Sequence, residues 1–323
     1  MAMLTTCVVV LFGLSLGVGP AEVNWRDSFA ALVDDSYGPL TLVMREIRLP
    51  RALLAAVIGA GLGLAGAALQ GYLRNPLAEP GLIGVSAAAA LGAVVALNTG
   101  LAAAMLFGLP LAALAGALVA VFLVLLLAGP QGGSLTLILA GIAISAMASA
   151  LTSLVLNLSP NPFAASEIVF WMMGSLADRS LVHLAIALPF VGGGAVILLR
   201  LGRGLDALTL GEDAAQTMGI NLSRLRLLLV LGTASIVGGA TAVAGAIGFI
   251  GLVVPHILRP FVGGQPSRLL WASALGGAVM LQLADLAVRL ILPDRDLKLG
   301  VVTALVGAPL FLHLIYKTRR GQV

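Results

Sequence analysis

The sequence predicts an all-α integral membrane protein with about ten transmembrane helices. Hydrophobic residues fill 60% of its 323 positions and charged residues only 10%, whereas soluble domains are about one-quarter charged. The mean hydropathy is +1.09. Glycine occupies 40 positions, and small residues of this kind let transmembrane helices pack closely. These observations exclude a water-soluble core and indicate a packed helical bundle.

Apolar runs of about 20 residues, the length that crosses a ~30 Å hydrocarbon layer, recur along the whole chain. We expect transmembrane helices at 2–19, 52–70, 82–98, 106–128, 135–157, 181–199, 227–247, 269–292 and 299–316. The segment 249–262 is too short to cross the layer squarely and contains Pro255 and His256, so we expect a short helix packed inside the bundle. Together these helices form a single transmembrane domain, residues 1–323.

Charge and cysteine content narrow the function further. The net charge of +4 is spread over loop ends without a basic run, which argues against nucleic-acid binding. The one cysteine, Cys7, excludes an intrachain disulfide and a thiolate metal site. If the N-terminus is cytoplasmic, the bias of basic residues toward the inside is weak. Some interaction must therefore hold basic residues at the outer face.

The longest polar interruption of the chain is residues 200–226, between two apolar runs. Its centre, Gly211–Gly219, predicts a short independent helix. Glu212 and Asp213 fall in the first turn, where carboxylates face the positive end of the helix dipole. Gly219 is placed to end the helix in a left-handed conformation.

The predicted short helix also has a small apolar side, formed by Ala214, Ala215 and Met218. Asn221 or Ser223 is placed to cap the helix that follows. A surface helix of this kind has two interpretations. It either lies in a groove of a partner protein or simply joins two transmembrane helices.

Several longer motifs point to one family. They are Arg48–Arg51 (RLPR), Gly66–Gln70 (GAALQ), Arg74–Ser86 (RNPLAEPGLIGVS), Gly245–His256 (GAIGFIGLVVPH), Gly300–Thr303 (GVVT) and Gly307–Pro309 (GAP). Through these motifs the chain closely resembles the FecCD-type permeases of bacterial ATP-driven importers for iron chelates, heme and vitamin B12. The resemblance extends from about residue 40 to the end.

The resemblance implies a type II ABC importer permease architecture, with ten transmembrane helices in each of two identical subunits and a pathway at the dimer axis. Such permeases lie in the bacterial inner membrane. Separate ATPase subunits bind ATP and Mg²⁺, and a periplasmic binding protein delivers the ligand. The chain itself is then no enzyme and binds no cofactor or metal. An iron chelate, either a siderophore or heme, is the expected cargo, with vitamin B12 as the alternative.

The resemblance also assigns roles to particular residues. The helix Gly211–Gly219 matches the coupling element that docks on the ATPase. Arg48 and Arg51, with Arg289 near the end of a later helix, match positions that meet carboxylates of the binding protein. Another interpretation of Arg289 stays open, because Asp285 precedes it by four residues and the two side chains can pair on one helix face.

The turn Gly132, Gly133 and Ser134 falls where family members narrow the pathway at its cytoplasmic end. It is either that gate or a plain glycine turn. His256, beside Pro255, is interpreted as a structural residue rather than a heme or iron ligand. Glu167, in the outer half-polar segment, is interpreted mainly as part of an interfacial anchor.

Two other classes of protein fit the sequence less well. An intramembrane enzyme would need His256, Asp285 and Ser145 to converge, and neither HExxH nor GxSxG occurs. An ion-driven transporter would need charged groups near the membrane midplane, where only Asp285 qualifies. The chain has no Walker A sequence, so an ATPase must be a separate protein.

Overall fold

The computed structural model describes residues 1–19, 24–105, 107–129, 133–159, 162–291 and 297–319, and within these ranges every regular element is helical. The α-helices are α1 (Ala2–Gly17), α2 (Trp25–Ala30), α3 (Pro39–Leu42), α4 (Leu49–Leu73), α5 (Val85–Asn98), α6 (Leu101–Ala104), α7 (Gly108–Ala128), α8 (Ser134–Asn157), α9 (Pro162–Met172), α10 (Leu181–Arg200), α11 (Gly202–Leu208), α12 (Glu212–Thr217), α13 (Leu222–Ala244), α14 (Ile250–Leu258), α15 (Pro266–Ile291) and α16 (Leu299–Arg319). Short 3₁₀ helices lie at Asp35–Tyr37, Pro80–Ile83 and Arg259–Val262, and a π-helical segment at Val43–Arg48 leads into α4.

Six helical segments in the described part of the chain are long and apolar enough to cross a membrane. They are Pro39–Leu73, α7, α8, α10, α13 and α15. Four shorter apolar segments accompany them: Ala2–Gly17, Val85–Asn98, Ile250–Val262 and Leu299–His313. The all-helical membrane fold is confirmed, while the total of about ten crossings stays a prediction. The short helix expected at 249–262 is present and is buried over Ile250–Pro255.

Helix α4 lies at the centre of the bundle, in contact with α1, α10, α13, α14 and α15. Its approach to α15 depends on glycine. A Cβ atom added at Gly59 would overlap the carbonyl oxygen of Gly277, and one added at Gly63 would overlap that of Ser273. The glycine excess in the sequence therefore reflects close packing of helix backbones, as predicted.

A second group of helices, α5, α7, α8 and α13, packs beside this centre. Helix α8 is buried along one side only, at residues such as Ile144 and Ala148. Its opposite side is exposed in the single chain and carries small residues, among them Ala146, Ala150 and Ser153, beside large apolar ones such as Leu139, Met147 and Leu154. The described part of the chain thus leaves a long surface of α8 uncovered.

Helix α15 runs between the two ends of the molecule that matter for function. At its start, the Ser267 amide donates to Asp206 Oδ1 of α11 at 2.8 Å. Near its end, Arg289 Nη1 donates to the Ser15 carbonyl oxygen of α1 at 2.8 Å. The polar segment 200–226 and the predicted docking arginines therefore lie at opposite ends of one transmembrane helix.

Candidate functional site

The polar segment 200–226 contains the predicted short helix, α12, and also a second short helix, α11, that was not predicted. Helix α12 lies between Gly211, with φ of +109°, and Gly219, with φ of +85°. Both backbone conformations are rare for residues with a side chain, so glycine sets the length of the helix. The Asn221 side chain accepts a hydrogen bond from the Arg224 amide at 2.9 Å and caps α13.

The two sides of α12 differ from the prediction. Ala215 is completely buried against the core of its own chain and Ala214 is half-buried. Of the three predicted apolar residues, only Met218 is exposed, at 62%. The placement of Ala215 on an outward apolar side is therefore wrong.

The outward surface of α12 is mostly polar. It consists of Glu212, Asp213, Gln216, Thr217 and Met218, and we call it the α12 surface. Two carboxylates at the start of the helix and one methionine at its end make this surface suited to a partner with a basic groove and an apolar pocket.

Polar contacts, two of them partly buried, attach the segment 200–226 to the transmembrane helices. Arg226 is 7% exposed, and its Nη2 donates to the Gly129 carbonyl oxygen at 2.7 Å, just after α7 ends. Asp206 of α11 accepts from the Ser267 amide and, at 3.1 Å, from Gln265 Nε2. These contacts join α13 to the end of α7 and α11 to the start of α15.

The predicted gate lies close to this segment. Gly132 is outside the described residues. Gly133 precedes α8 and is exposed, and Ser134 is the first residue of α8 and half-buried. Because Gly129 is bonded to Arg226, the end of α7 lies at the membrane side that carries α12.

The end of the bundle opposite α12 holds the three predicted docking arginines, but their side chains point inward. Arg48 is 4% exposed, and its Nη1 donates to the carbonyl oxygens of Leu16 and Gly17, both at 3.0 Å. These are among the last carbonyl groups of α1, which have no partner inside the helix. Arg48 therefore fixes the end of α1 against α4.

Arg51 and Arg289 share one buried carboxylate. Arg51 Nε lies 2.7 Å from Asp285 Oδ1, and Arg289 donates to Asp285 Oδ2 through Nε at 3.0 Å and through Nη2. The Asp285 side chain is only 1% exposed. The interpretation of Asp285 and Arg289 as a pair on one helix face is confirmed, and Arg51 joins that pair from α4.

This burial corrects the docking prediction. The Arg289 side chain is 7% exposed and that of Arg51 is 17% exposed, and Arg48 is buried. A guanidinium that contacts the carboxylates of another protein must be exposed, and only Arg51 retains an accessible edge. The position of these three arginines is explained first by a structural role, because they join α1, α4 and α15.

A second buried polar cluster was not predicted as a site. Gln70, fully buried in α4, donates from Nε2 to the carbonyl oxygens of Ala78 at 3.3 Å and Leu252 at 3.2 Å. Its Oε1 accepts from Arg259 Nη2 at 2.9 Å. The sequence did contain one indication of this cluster, a single glutamine in a glycine-rich apolar run. A buried amide requires hydrogen-bond partners, so polar groups had to lie near it.

Glu79 extends this cluster from the hairpin between α4 and α5. Its Oε1 accepts a hydrogen bond from the Phe249 amide at 2.7 Å, where Phe249 has φ of +67° just before α14. Burial raises the pKa of the Glu79 carboxyl above its ordinary value. Gln70 and Glu79 together hold the hairpin against the start of the short helix α14.

The polar side chains described above are not arranged as a metal site. His256 is half-buried in α14. Across the described residues, no three His, Cys, Asp or Glu side chains lie close enough together to hold a metal ion.

The comparison with known proteins now decides the family, because residues 7–317 match the profile of the FecCD transport family. The chain belongs to the FecCD transport family. It is 39% identical to the Fe(3+) dicitrate transport permease FecD of Escherichia coli, over 95% of this chain and 94% of FecD. It is also 39% identical to the cobalamin import permease BtuC of Halobacterium salinarum, over 85% of this chain and 73% of BtuC.

A solved structure supports the same assignment. An ABC transporter assigned to the metal-chelate type, captured in an inward-facing conformation, has a TM-score of 0.86 to this chain at 35% identity, with 97% of each chain covered. The chain is thus a multi-pass membrane permease subunit of an ABC importer. Its family implies ATPase partners and a substrate-binding protein.

Proposed function

We propose that the permease moves an iron chelate, either a ferric siderophore or heme, from the periplasm to the cytoplasm across the inner membrane. ATP hydrolysis on separate subunits, which bind ATP and Mg²⁺, drives the movement. The likeness to FecD and to a metal-chelate-type transporter supports this cargo. Vitamin B12 is the second candidate, because BtuC is similar to the same degree.

The observation that carries the ATP-driven mechanism is the form of α12. It is a two-turn helix between two glycines with positive φ, and it exposes Glu212, Asp213 and Gln216 while Ala215 anchors it in the core. A helix presented in this way fits a groove of the ATPase. Closure of the ATPase subunits then pushes α12, and Arg226 and Asp206 pass the push to the transmembrane helices.

Two copies of the permease form the pathway in this proposal, each with ten crossings made by the six long and four shorter apolar segments. The uncovered side of α8, with Ala146, Ala150 and Ser153, faces the axis between the copies. Small side chains suit a pathway for a bulky chelate because they leave room and bind it weakly. The turn Gly132–Ser134 forms the cytoplasmic gate at the start of α8.

The outer end of the bundle receives the binding protein. Arg51 contributes its exposed edge, while Arg48 and Arg289 support the surface from inside by holding α1, α4 and α15 together. Docking that depends on one partly exposed arginine is salt-sensitive but only modestly so.

Co-purification from native membranes tests the proposal. We expect tagged wild-type permease in mild detergent to retain an ATPase and a periplasmic binding protein. The double variant Asp213→Lys/Gln216→Lys, which alters only exposed side chains of α12, should lose the ATPase and keep the binding protein. Arg203→Glu, a charge reversal at an exposed site on α11, is the matched control and should keep both.

The absorption spectrum of the ligand on the co-purified binding protein then separates the cargoes. A ferric siderophore or heme supports the proposal, and a corrinoid spectrum selects vitamin B12. If the α12 double variant retains the ATPase as the wild type does, the docking role of α12 is wrong.

A further inference from the structure

A groove of about 810 Å³ lies where α1 begins, between the 3₁₀ segment Arg259–Val262 and the start of α15. Its walls include Leu4, Leu258, Phe261, Ser267, Arg268 and Trp271. Phe261 is 81% exposed and Trp271 55% exposed, so large apolar surfaces face the surroundings of the bundle. The volume lies within the ~300–1,000 Å³ range of small-molecule sites.

One cation is free in this groove. Arg268 is exposed, and it has neither an ion pair nor a hydrogen bond with any described residue. Asp206, which contacts the same helix start, already accepts hydrogen bonds from the Ser267 amide and from Gln265 Nε2. The groove therefore combines apolar walls with a guanidinium that is available to an anion.

The position of the groove indicates which anion. Trp271 lies one turn after Arg268, near the start of α15. A tryptophan close to the end of a transmembrane helix is typical of the boundary between hydrocarbon and headgroups. An arginine there keeps its charge in the headgroup layer while its stem lies along apolar surface. The site thus offers hydrocarbon contacts and phosphate contacts at the depths at which a phospholipid presents them.

We propose that this groove binds an anionic glycerophospholipid, with its phosphate on Arg268 and an acyl chain along Leu258, Phe261 and Trp271. The groove lies on the membrane side that carries α11 and α12, because Asp206 bonds to the start of α15. The proposed function makes this the cytoplasmic side, where the lipid surface is negatively charged and basic pockets bind acidic headgroups.

Tryptophan fluorescence tests the proposal directly. The chain has three tryptophans, and Trp25→Phe/Trp171→Phe leaves Trp271 as the reporter. In micelles titrated with brominated lipids, brominated phosphatidylglycerol should quench Trp271 at about one-fifth of the concentration that brominated phosphatidylcholine requires, the factor expected of one arginine near the surface. Inorganic phosphate should not relieve the quenching.

Arg268→Gln should reduce this preference to near unity. Arg203→Gln removes an exposed charge on α11, at the same membrane side and outside the groove, and should preserve it. If the tryptophan-reduced background does not fold, native mass spectrometry of wild type, Arg268→Gln and Arg203→Gln with the two unbrominated lipids gives the same comparison.

Several results would overturn the proposal. Equal quenching by both lipids indicates ordinary boundary lipid, and no quenching by either indicates that a second copy or another segment covers the groove. Relief by inorganic phosphate indicates an anion site that does not require a lipid. Because the assay contains no ATPase, its failure leaves the proposed transport function untouched.

Discussion

Replacement of Asp285 by asparagine tests how the outer end of the permease is held together. Asp285 is 1% exposed and receives Arg51 at 2.7 Å and Arg289 at 3.0 Å, from α4 and from its own helix α15. Asparagine preserves the volume of the side chain and removes its charge. Two largely buried guanidinium groups then lose the one carboxylate they share.

The expected loss is large, since removal of one partner from a buried ion pair costs about 3–5 kcal/mol. We expect Asp285→Asn to lower the free energy of unfolding by an amount in this range, measured by denaturant titration in detergent micelles. The double variant Asp285→Asn/Arg289→Gln should be less destabilised than the two single variants added together. The difference should be about 0.5–3 kcal/mol, as for residues in direct contact.

A matched control lies at the same end of the molecule. Arg45 pairs with Asp35 at 2.6 Å, but the Asp35 side chain is 85% exposed. Asp35→Asn should therefore cost about 0–1 kcal/mol. The reasoning is refuted if Asp285→Asn destabilises the permease no more than Asp35→Asn does, or if the double variant shows simple additivity.

Three further predictions concern other parts of the permease. Gln70→Leu removes the acceptor for Arg259 and should lower the free energy of unfolding by about 1–3 kcal/mol, whereas an unchanged value would show that the cluster contributes nothing. Burial raises the pKa of Glu79, so the contribution of Glu79 to stability should be fully present below the ordinary value of 4.5 and be lost as pH rises through the raised pKa. Glu79→Gln should flatten that dependence of Tm on pH, and parallel curves for the two proteins would contradict it. Gly211→Ala should strain a backbone with φ of +109° by about 1–3 kcal/mol and reduce ATP-driven uptake into vesicles, and unimpaired uptake would argue against coupling through α12.

Features determined by nearby residues were predictable from the sequence. The bounds of α12 follow from Gly211 and Gly219, and the start of α13 follows from the Asn221 cap. The pair formed by Asp285 and Arg289 follows from helical spacing. In each case the whole signal lies within about two turns of helix.

Features that depend on distant residues were not predictable. Arg51 meets Asp285 across 234 positions of sequence, and Arg48 meets the end of α1 across 31 and 32 positions. These contacts bury arginines that the family resemblance had placed at the surface. Ala215 shows the same limit on a smaller scale, because the helical pattern identifies an apolar side without showing whether that side faces the core or a partner.

Site-directed cross-linking between α12 and the ATPase tests the central claim most directly. Cys7 is the single cysteine of the chain, so Cys7→Ser/Gln216→Cys places one thiol on the α12 surface. In native membranes, a maleimide–benzophenone reagent attached to this thiol should join the variant to the ATPase on illumination, because benzophenone inserts into nearby C–H bonds and needs no thiol on the partner. Cys7→Ser/Val33→Cys, with a thiol at an 86% exposed site near the opposite end, should give no such product. Cross-linking at Val33 or none at Gln216 would contradict the account.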